Sequence, residues 1–266
     1  MTSIKLYHCP GSLYSQMVKL VLVEKNIQWQ SHILNLLTFE NLQPSYVRLN
    51  PQGVVPTLVD RDKIICDSVE IMYYLDRKFP NPQLTPIESG LQQKMHYWID
   101  LHQHLPMGEI VYGNYKGFDG MVLRRSIQIK EKQILRLLQA NPDLKKQYAD
   151  KLDSVKELNK TIRDSQKMLQ INAQIEPTLD KLEYQLKQSE WLSNNNYSLA
   201  DVVWTATLHH LEQLDFNHLW SQEKRPAIEN YWQRLKTRPN FKTAMQDEVI
   251  PLPMVLAGLG RVFLGF

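Results

Sequence analysis

Two short stretches place reactive side chains where a helix begins. Cys9-Pro10-Gly11-Ser12 brings a thiol and a hydroxyl up to an apolar run with helical spacing, and Asp67-Ser68 brings a carboxylate and a hydroxyl to another. The first turn of a helix has unpaired backbone N–H groups and the positive end of the helix dipole, so it favours anions. Thiol chemistry needs such a place, because a free thiol with a pKa of about 8.5 is only about 3% ionised at pH 7. The plainer reading is that Ser12 or Ser15, and Asp67 with Ser68, serve as N-caps, a role that favours Ser and Asp. Ser198-Leu199-Ala200-Asp201 has the spacing of a capping box and is read as structural. His102-Gln103-His104 and His209-His210 lack the i,i+4 spacing of a helical metal site, and no cysteine accompanies them, so no metal is expected.

The elements that must hold these residues alternate strand and helix in the order βαβ…ββα. Residues 4–8 read as a buried strand and 12–25 as a helix with Val18, Val21 and Leu22 on one face. Residues 28–34 suit a second strand, 44–49 a short helical turn, 50–53 a loop, and 57–59 with 63–66 a hairpin. Residues 68–79 repeat Ile71, Met72, Leu75 and Phe79 at helical spacing, and three prolines within 80–86 then end the pattern. Beyond Pro86 every apolar pattern is helical: 87–111, 124–138, 144–169, 175–186, 199–214, 227–236 and 241–245, with Gly113–Gly120 as a break. The 144–169 stretch carries Tyr148, Val155, Ile162 and Leu169 every seventh residue with Leu152 between, a narrow stripe read as packing within its own domain. The expected division is a domain at 1–80, an all-helical domain at 87–248 and an apolar tail at 249–266.

A chain of 266 residues with 43% hydrophobic side chains supports two such domains. Lys+Arg 31 against Asp+Glu 28 gives a net charge of +3 without like-charge blocks, which excludes a dedicated nucleic-acid binder. Two cysteines make no disulfide framework and the first residues hold no apolar signal core, so a cytoplasmic protein is expected. Arg261 is the only charge from Val249 to Phe266, but Pro251 and Pro253 delay a helix to near Met254. What remains would reach about 20 Å, against a hydrocarbon core of about 30 Å. The tail is read as a lid on the helical domain, with a shallow membrane-surface anchor as the other reading.

Several motifs resemble those of the soluble glutathione S-transferases. Leu6-Tyr7-His8 followed by Ser12-Leu13-Tyr14-Ser15-Gln16-Met17-Val18-Lys19-Leu20 is similar to the first strand and helix of the Ser- and Cys-type members. Asn50-Pro51-Gln52-Gly53-Val54-Val55-Pro56-Thr57-Leu58 resembles their loop to a cis-proline, Asp67-Ser68-Val69-Glu70-Ile71 their acidic-residue–serine turn, and Ser198–Asp201 their capping box. Arg225-Pro226-Ala227-Ile228 through Phe241 resembles their closing helices. A long helical insertion at about 112–170 is similar to the tetrachlorohydroquinone-dehalogenase-like and ganglioside-induced differentiation-associated protein groups. The resemblance implies an α+β chain, with an N-terminal thioredoxin-like βαβ-ββα domain, a C-terminal all-α domain, and a homodimer as the default assembly.

It also implies an enzyme that activates the thiol of glutathione, as substrate, for transfer to a small electrophile. Ser12, five residues after Tyr7 and eight before Leu20, falls where the family places its catalytic Ser or Cys. Lowering a thiol pKa by about two units takes about 2.7 kcal/mol. A hydrogen bond to a charged group supplies about 1.5–3 kcal/mol and a helix N-terminus about 0.3–1 more. Cys9 is the runner-up; it would imply glutathionyl reduction or reductive dehalogenation, but it precedes the helix and lacks the first-turn amides. Tyr7 is read as core or site wall. Val55, before a cis Pro56, is expected to pair with the cysteinyl backbone of glutathione, and Asp67 and Ser68 to grip its γ-glutamyl end. Val54 replaces the Lys or Gln usual in active members, and Asp67 is one methylene shorter than the commoner Glu. Both point to weaker or altered binding, for which Arg48 is a compensating cation if it is aimed there. Trp98, His102 and Tyr112 are candidate walls for the acceptor. The alternative is a non-catalytic adaptor that binds glutathione weakly and meets a partner or membrane through its insertion or tail.

Overall fold

In the computed structural model, residues 4–194, 196–247 and 249–265 are described. Met1 to Ser3, and the ends Glu248 and Phe266 of the expected divisions, lie outside the described residues. Strand β1 (Ile4–His8) buries Ile4, Leu6 and His8 and leaves Lys5 exposed, the period of two that a half-covered strand requires. It lies inside a four-stranded sheet of order β2-β1-β3-β4. Strand β2 (Gln30–Ile33) runs parallel to β1, while β3 (Thr57–Asp60) and β4 (Lys63–Ile65) are antiparallel, with Leu6 opposite Leu58. The parallel pair needs a crossover, and α1 (Leu13–Glu24) supplies it.

Helix α1 is covered on more sides than its apolar stripe suggests. Besides Val18, Val21 and Leu22, it buries Ser15, Gln16 and Lys19. It packs against α3 (Ser68–Lys78) and against two helices of the second half, α10 (Leu199–Gln213) and α12 (Pro239–Met245). A short helix α2 (Pro44–Leu49) lies between β2 and β3. No helix or strand occurs between Lys78 and Ser89, and this connection is pinned by polar groups. The buried Lys25 ammonium pairs with Asp76 at 2.6 Å and donates to the carbonyls of Phe79 and Pro82, also at 2.6 Å. Asp76 in turn accepts from the backbone N–H groups of Leu84 and Thr85.

The second half is helical throughout. The run expected at 87–111 is instead α4 (Ser89–Gln103) and α5 (Met107–Asn114), broken just before Pro106, which has no N–H and restricts its predecessor. Helix α6 (Gly117–Ala140) starts well before Arg124, so the expected glycine break narrows to two residues. Gly120 is required there, because a Cβ would come within 1.9 Å of the Tyr115 carbonyl oxygen. The 144–169 run divides into α7 (Lys145–Arg163) and α8 (Ser165–Asn172). Asp164 restarts the helix by accepting from the N–H groups of Gln166 and Lys167 at 3.0 and 3.1 Å. Tyr148, Leu152, Val155 and Ile162 are therefore buried in the core shared with α6, whereas Leu169 beyond the break is 63% exposed.

Helices α9 (Ile175–Leu186) and α11 (Pro226–Thr237) complete the main core with α10 and α12. The predicted capping box at Ser198–Asp201 is present, and Asp201 does more than cap. Fully buried, its carboxylate accepts from the N–H of Ser198 and of Leu192 and from the hydroxyls of Ser198 and Tyr231 at 2.8–3.0 Å. The tail forms α13 (Leu252–Phe263), which starts before Met254 because a first-turn proline is compatible with a helix. It lies on α6 and on the loop after β2: Asn35 donates to the Met254 carbonyl at 2.6 Å, and Gly258 admits Leu37, which a Cβ would meet at 2.8 Å. Among the described residues no helix is long and apolar enough to cross a membrane.

Candidate functional site

A cleft of about 290 Å³ opens between the sheet domain and the helices. Tyr14 and Met17 of α1, Gln52 and Val54–Pro56 of the loop before β3, Cys66–Val69 at the start of α3, and His102 with Gln103 of α4 line it. Four of the predicted site residues, Val55, Pro56, Asp67 and Ser68, thus share one wall. Ser12 and Cys9 are not among the lining residues. Ser12 is half-buried and caps α1, its hydroxyl accepting from the Ser15 N–H at 3.4 Å. Cys9 is 5% exposed and packs with Tyr46 and Val55.

The loop that carries Val55 is held by side chains on three sides. Asn50 donates to the Val54 carbonyl at 2.9 Å and to Thr57 at 2.8 Å, and its oxygen accepts from the Gln52 N–H. The Tyr46 hydroxyl donates to the same Val54 carbonyl at 2.7 Å, and burial pushes its pKa up to about 12, so it stays a donor. Gly53 sits at φ +57°, where a Cβ would crowd the Asn41 carbonyl. The Val55–Pro56 peptide is cis, and no backbone hydrogen bond joins Val55 to a described residue. Val55 lines the cleft two residues before β3 begins.

Asp67 is a cap with capacity to spare. Its Oδ1 accepts both the Val69 and Glu70 N–H groups, at 2.9 and 3.0 Å, and Oδ2 makes no hydrogen bond to a described residue. With Ser68 at the first turn of α3, this gives one unused carboxylate oxygen and one hydroxyl at a positive helix end. No lysine or arginine lines the cleft among the described residues, and Arg48 is paired instead with Asp143 at 2.7 Å, on the surface.

Sequence reasoning missed Tyr14 and settled His102 only in outline. Tyr14 is two residues past Ser12, about 200° around the helix, and nothing local says which of the two faces the cleft. Burial, with the negative charges of Glu109 and Asp67, raises its phenol pKa, so it remains a neutral donor. His102 lies edge-on to it, ring centroids 6.2 Å apart. The Thr207 hydroxyl donates to the Val203 carbonyl at 2.8 Å, so at 2.9 Å it accepts from His102 Nδ1–H, leaving Nε2 as the acceptor. Burial pushes His102 down to about 4, and the ring is neutral near pH 7. Of the other candidate walls, Trp98 is buried edge-on against Trp204, Tyr112 packs with the α6–α7 core, and Tyr7 stacks on His32 at 4.7 Å. Among the described residues no His, Cys, Asp and Glu group has metal-binding geometry.

Fold and cleft together define a protein with a small mixed-sheet domain, a helical domain and a cleft between them, and the comparisons name its family. The chain belongs to the glutathione S-transferase superfamily: the glutathione S-transferase N-terminal domain matches residues 6–83 and the C-terminal domain residues 159–239. Residues 84–158, between the two matches, include α4, α5, α6 and most of α7. A tetrachloro-p-hydroquinone reductive dehalogenase of Sphingobium chlorophenolicum is 28% identical over 92% of this chain and 96% of its own length. A glutathione S-transferase TCHQD of Arabidopsis thaliana is 26% identical over 90% and 88%. The human ganglioside-induced differentiation-associated protein 1-like 1 is 29% identical over 92% of this chain and 74% of its own. In fold, the β-etherase LigF of Sphingobium sp. strain SYK-6 is similar, with a TM-score of 0.75 at 21% identity over 93% of this chain and all of that one.

Proposed function

We propose that this protein is a glutathione transferase that activates the glutathione thiol for transfer to a small electrophile. The observation that carries the reading is the shared wall: a Val55 backbone and an Asp67 Oδ2 that have no hydrogen-bond partner among the described residues, with a cis-proline and the Ser68 hydroxyl in the same cleft. An extended tripeptide backbone would add to Val55, while the carboxylate takes its ammonium group and the helix start takes its α-carboxylate. Ser12 is the proposed donor to the thiolate, with Tyr14 the competing hydroxyl because it lines the cleft. The acceptor would lie toward His102 and Gln103. The burial of Cys9 supports the serine mechanism over a Cys9-centred reduction.

Retention on immobilised glutathione tests the binding half of this reading. Wild type is expected to be retained, and Asp67→Ala to bind at least about tenfold more weakly, since one hydrogen bond to a charged group is worth about 1.5–3 kcal/mol. Absence of retention by the wild type would instead favour the adaptor reading, which the cation-free lining of the cleft supports.

A further inference from the structure

A second cavity of about 290 Å³ lies far from this chemistry, along the seam of α6 and α13. Arg125, Lys132 and Arg136 of α6 and Arg261 of α13 line it, and no aspartate or glutamate does so among the described residues. Elsewhere in the chain the buried Arg225 is matched to Asp180 at 2.7 Å and the half-buried Arg238 to Glu24 at 2.8 Å. Here four positive charges face one space with no acidic partner among the described residues. Two of them are also held in place. Arg125 donates through Nε to the Val262 carbonyl at 2.7 Å and lies 5.4 Å from the Phe263 ring centre. Arg261 donates through Nη2 to Gln133 at 2.7 Å, and its Nε is buried without a partner. Lys132 and Arg136 are exposed and have no hydrogen-bond or ion-pair partner among the described residues.

We propose that this groove binds a phosphate monoester carried on an apolar body. Clustered cations repel one another unless an anion joins them, and a dianion offsets more of that repulsion than a single carboxylate. Guanidinium forks match phosphate oxygens two at a time, and both arginines are already oriented for the purpose by bonds to the protein. Gln133 apart, the side chains of the remaining wall are apolar: Phe263 lies at the groove, and Leu264 is 68% exposed there. That side has no use for inorganic phosphate alone and suits an ester with a ring or an acyl chain.

Calorimetric titration of the full chain with phenyl phosphate tests the site, with phenol and inorganic phosphate as comparison probes. Phenyl phosphate is expected to bind, more tightly than inorganic phosphate, with phenol silent and the affinity falling as salt rises. In Lys132→Gln/Arg136→Gln the affinity is expected to fall at least about tenfold, because each charge-assisted contact carries roughly that factor. Both side chains are exposed and unpaired, so melting temperature and retention on glutathione stay as in wild type, which separates this site from the cleft. Sedimentation with phosphatidylcholine vesicles containing phosphatidic acid, abolished in the double variant, identifies the ester as a lipid headgroup. Phenyl phosphate binding without vesicle binding identifies a soluble ester. No binding of phenyl phosphate by wild type, or equal binding by the double variant, overturns the proposal.

Discussion

The two larger apolar cores among the described residues differ in how the thioredoxin-like domain is fastened to them. Across the main core the contacts are threaded with buried polar groups. Lys25 and Asp76 pin the connection between the domains, and Gln16 of α1 donates to the Pro10 and Met245 carbonyls while accepting from His210 Nε2–H. Asp201 ties α10 to Tyr231 of α11 and to the backbone at Leu192. In the second core, Phe39, Leu42 and Val47 meet Ile127, Ile134, Tyr148, Leu152 and Val155 of the insertion helices. Polar fastening there amounts to the Tyr148 hydroxyl on the Leu42 carbonyl at 2.8 Å and the exposed Arg48–Asp143 pair. Buried polar contacts demand one register, whereas apolar contact tolerates several. The cleft is built at the well-specified seam, and the insertion is free to be long without disturbing it.

The largest break in this contrast is expected from Asp201→Ala. It orphans several buried donors at once and should cost about 3–5 kcal/mol in urea unfolding, or prevent folding. Equal stability of the variant would show that the carboxylate is not a fastening despite its bonds.

Acid comes next. His102 is pushed down to about 4 and His210 to about 3 by burial, so the unfolded chain binds protons that the folded one does not. Their stabilising effect is fully present above about pH 6.5 and lost as pH falls toward 4, by about 3 kcal/mol for each histidine. The urea midpoint should drop over that window, and His210→Gln should flatten the drop. A midpoint constant from pH 7 to 4.5 would contradict the burial argument. Tyr148→Phe, which removes the buried one of the two polar ties of the second core, should cost about 1 kcal/mol and leave retention on glutathione unchanged.

Local patterns carried much of this arrangement into view. The faces of α1 and α3, the hairpin and the Val55–Pro56 and Asp67–Ser68 turns are each set by residues within a few positions of one another. The expected helix at 87–111 runs across Pro106, although the proline that interrupts it is in plain sight. Asp164 gives no such signal, since an aspartate within a polar stretch looks alike whether it continues a helix or caps the next one. Contacts between distant residues were beyond reach altogether: Lys25 with Asp76, Thr207 setting the His102 tautomer, and the pairing of α13 with α6. The same holds for Tyr14 against Ser12, where the orientation of α1 against the second half decides which hydroxyl the cleft receives.

That choice of hydroxyl is the centre of the account, and ultraviolet titration of the thiol of bound glutathione measures it directly. In wild type the thiol is expected to ionise about two units below the free value of about 8.5, and in Ser12→Ala to return toward it. A return in Tyr14→Phe with Ser12→Ala unchanged would move the role to Tyr14. Bound glutathione that titrates like the free thiol in wild type would contradict activation at this cleft.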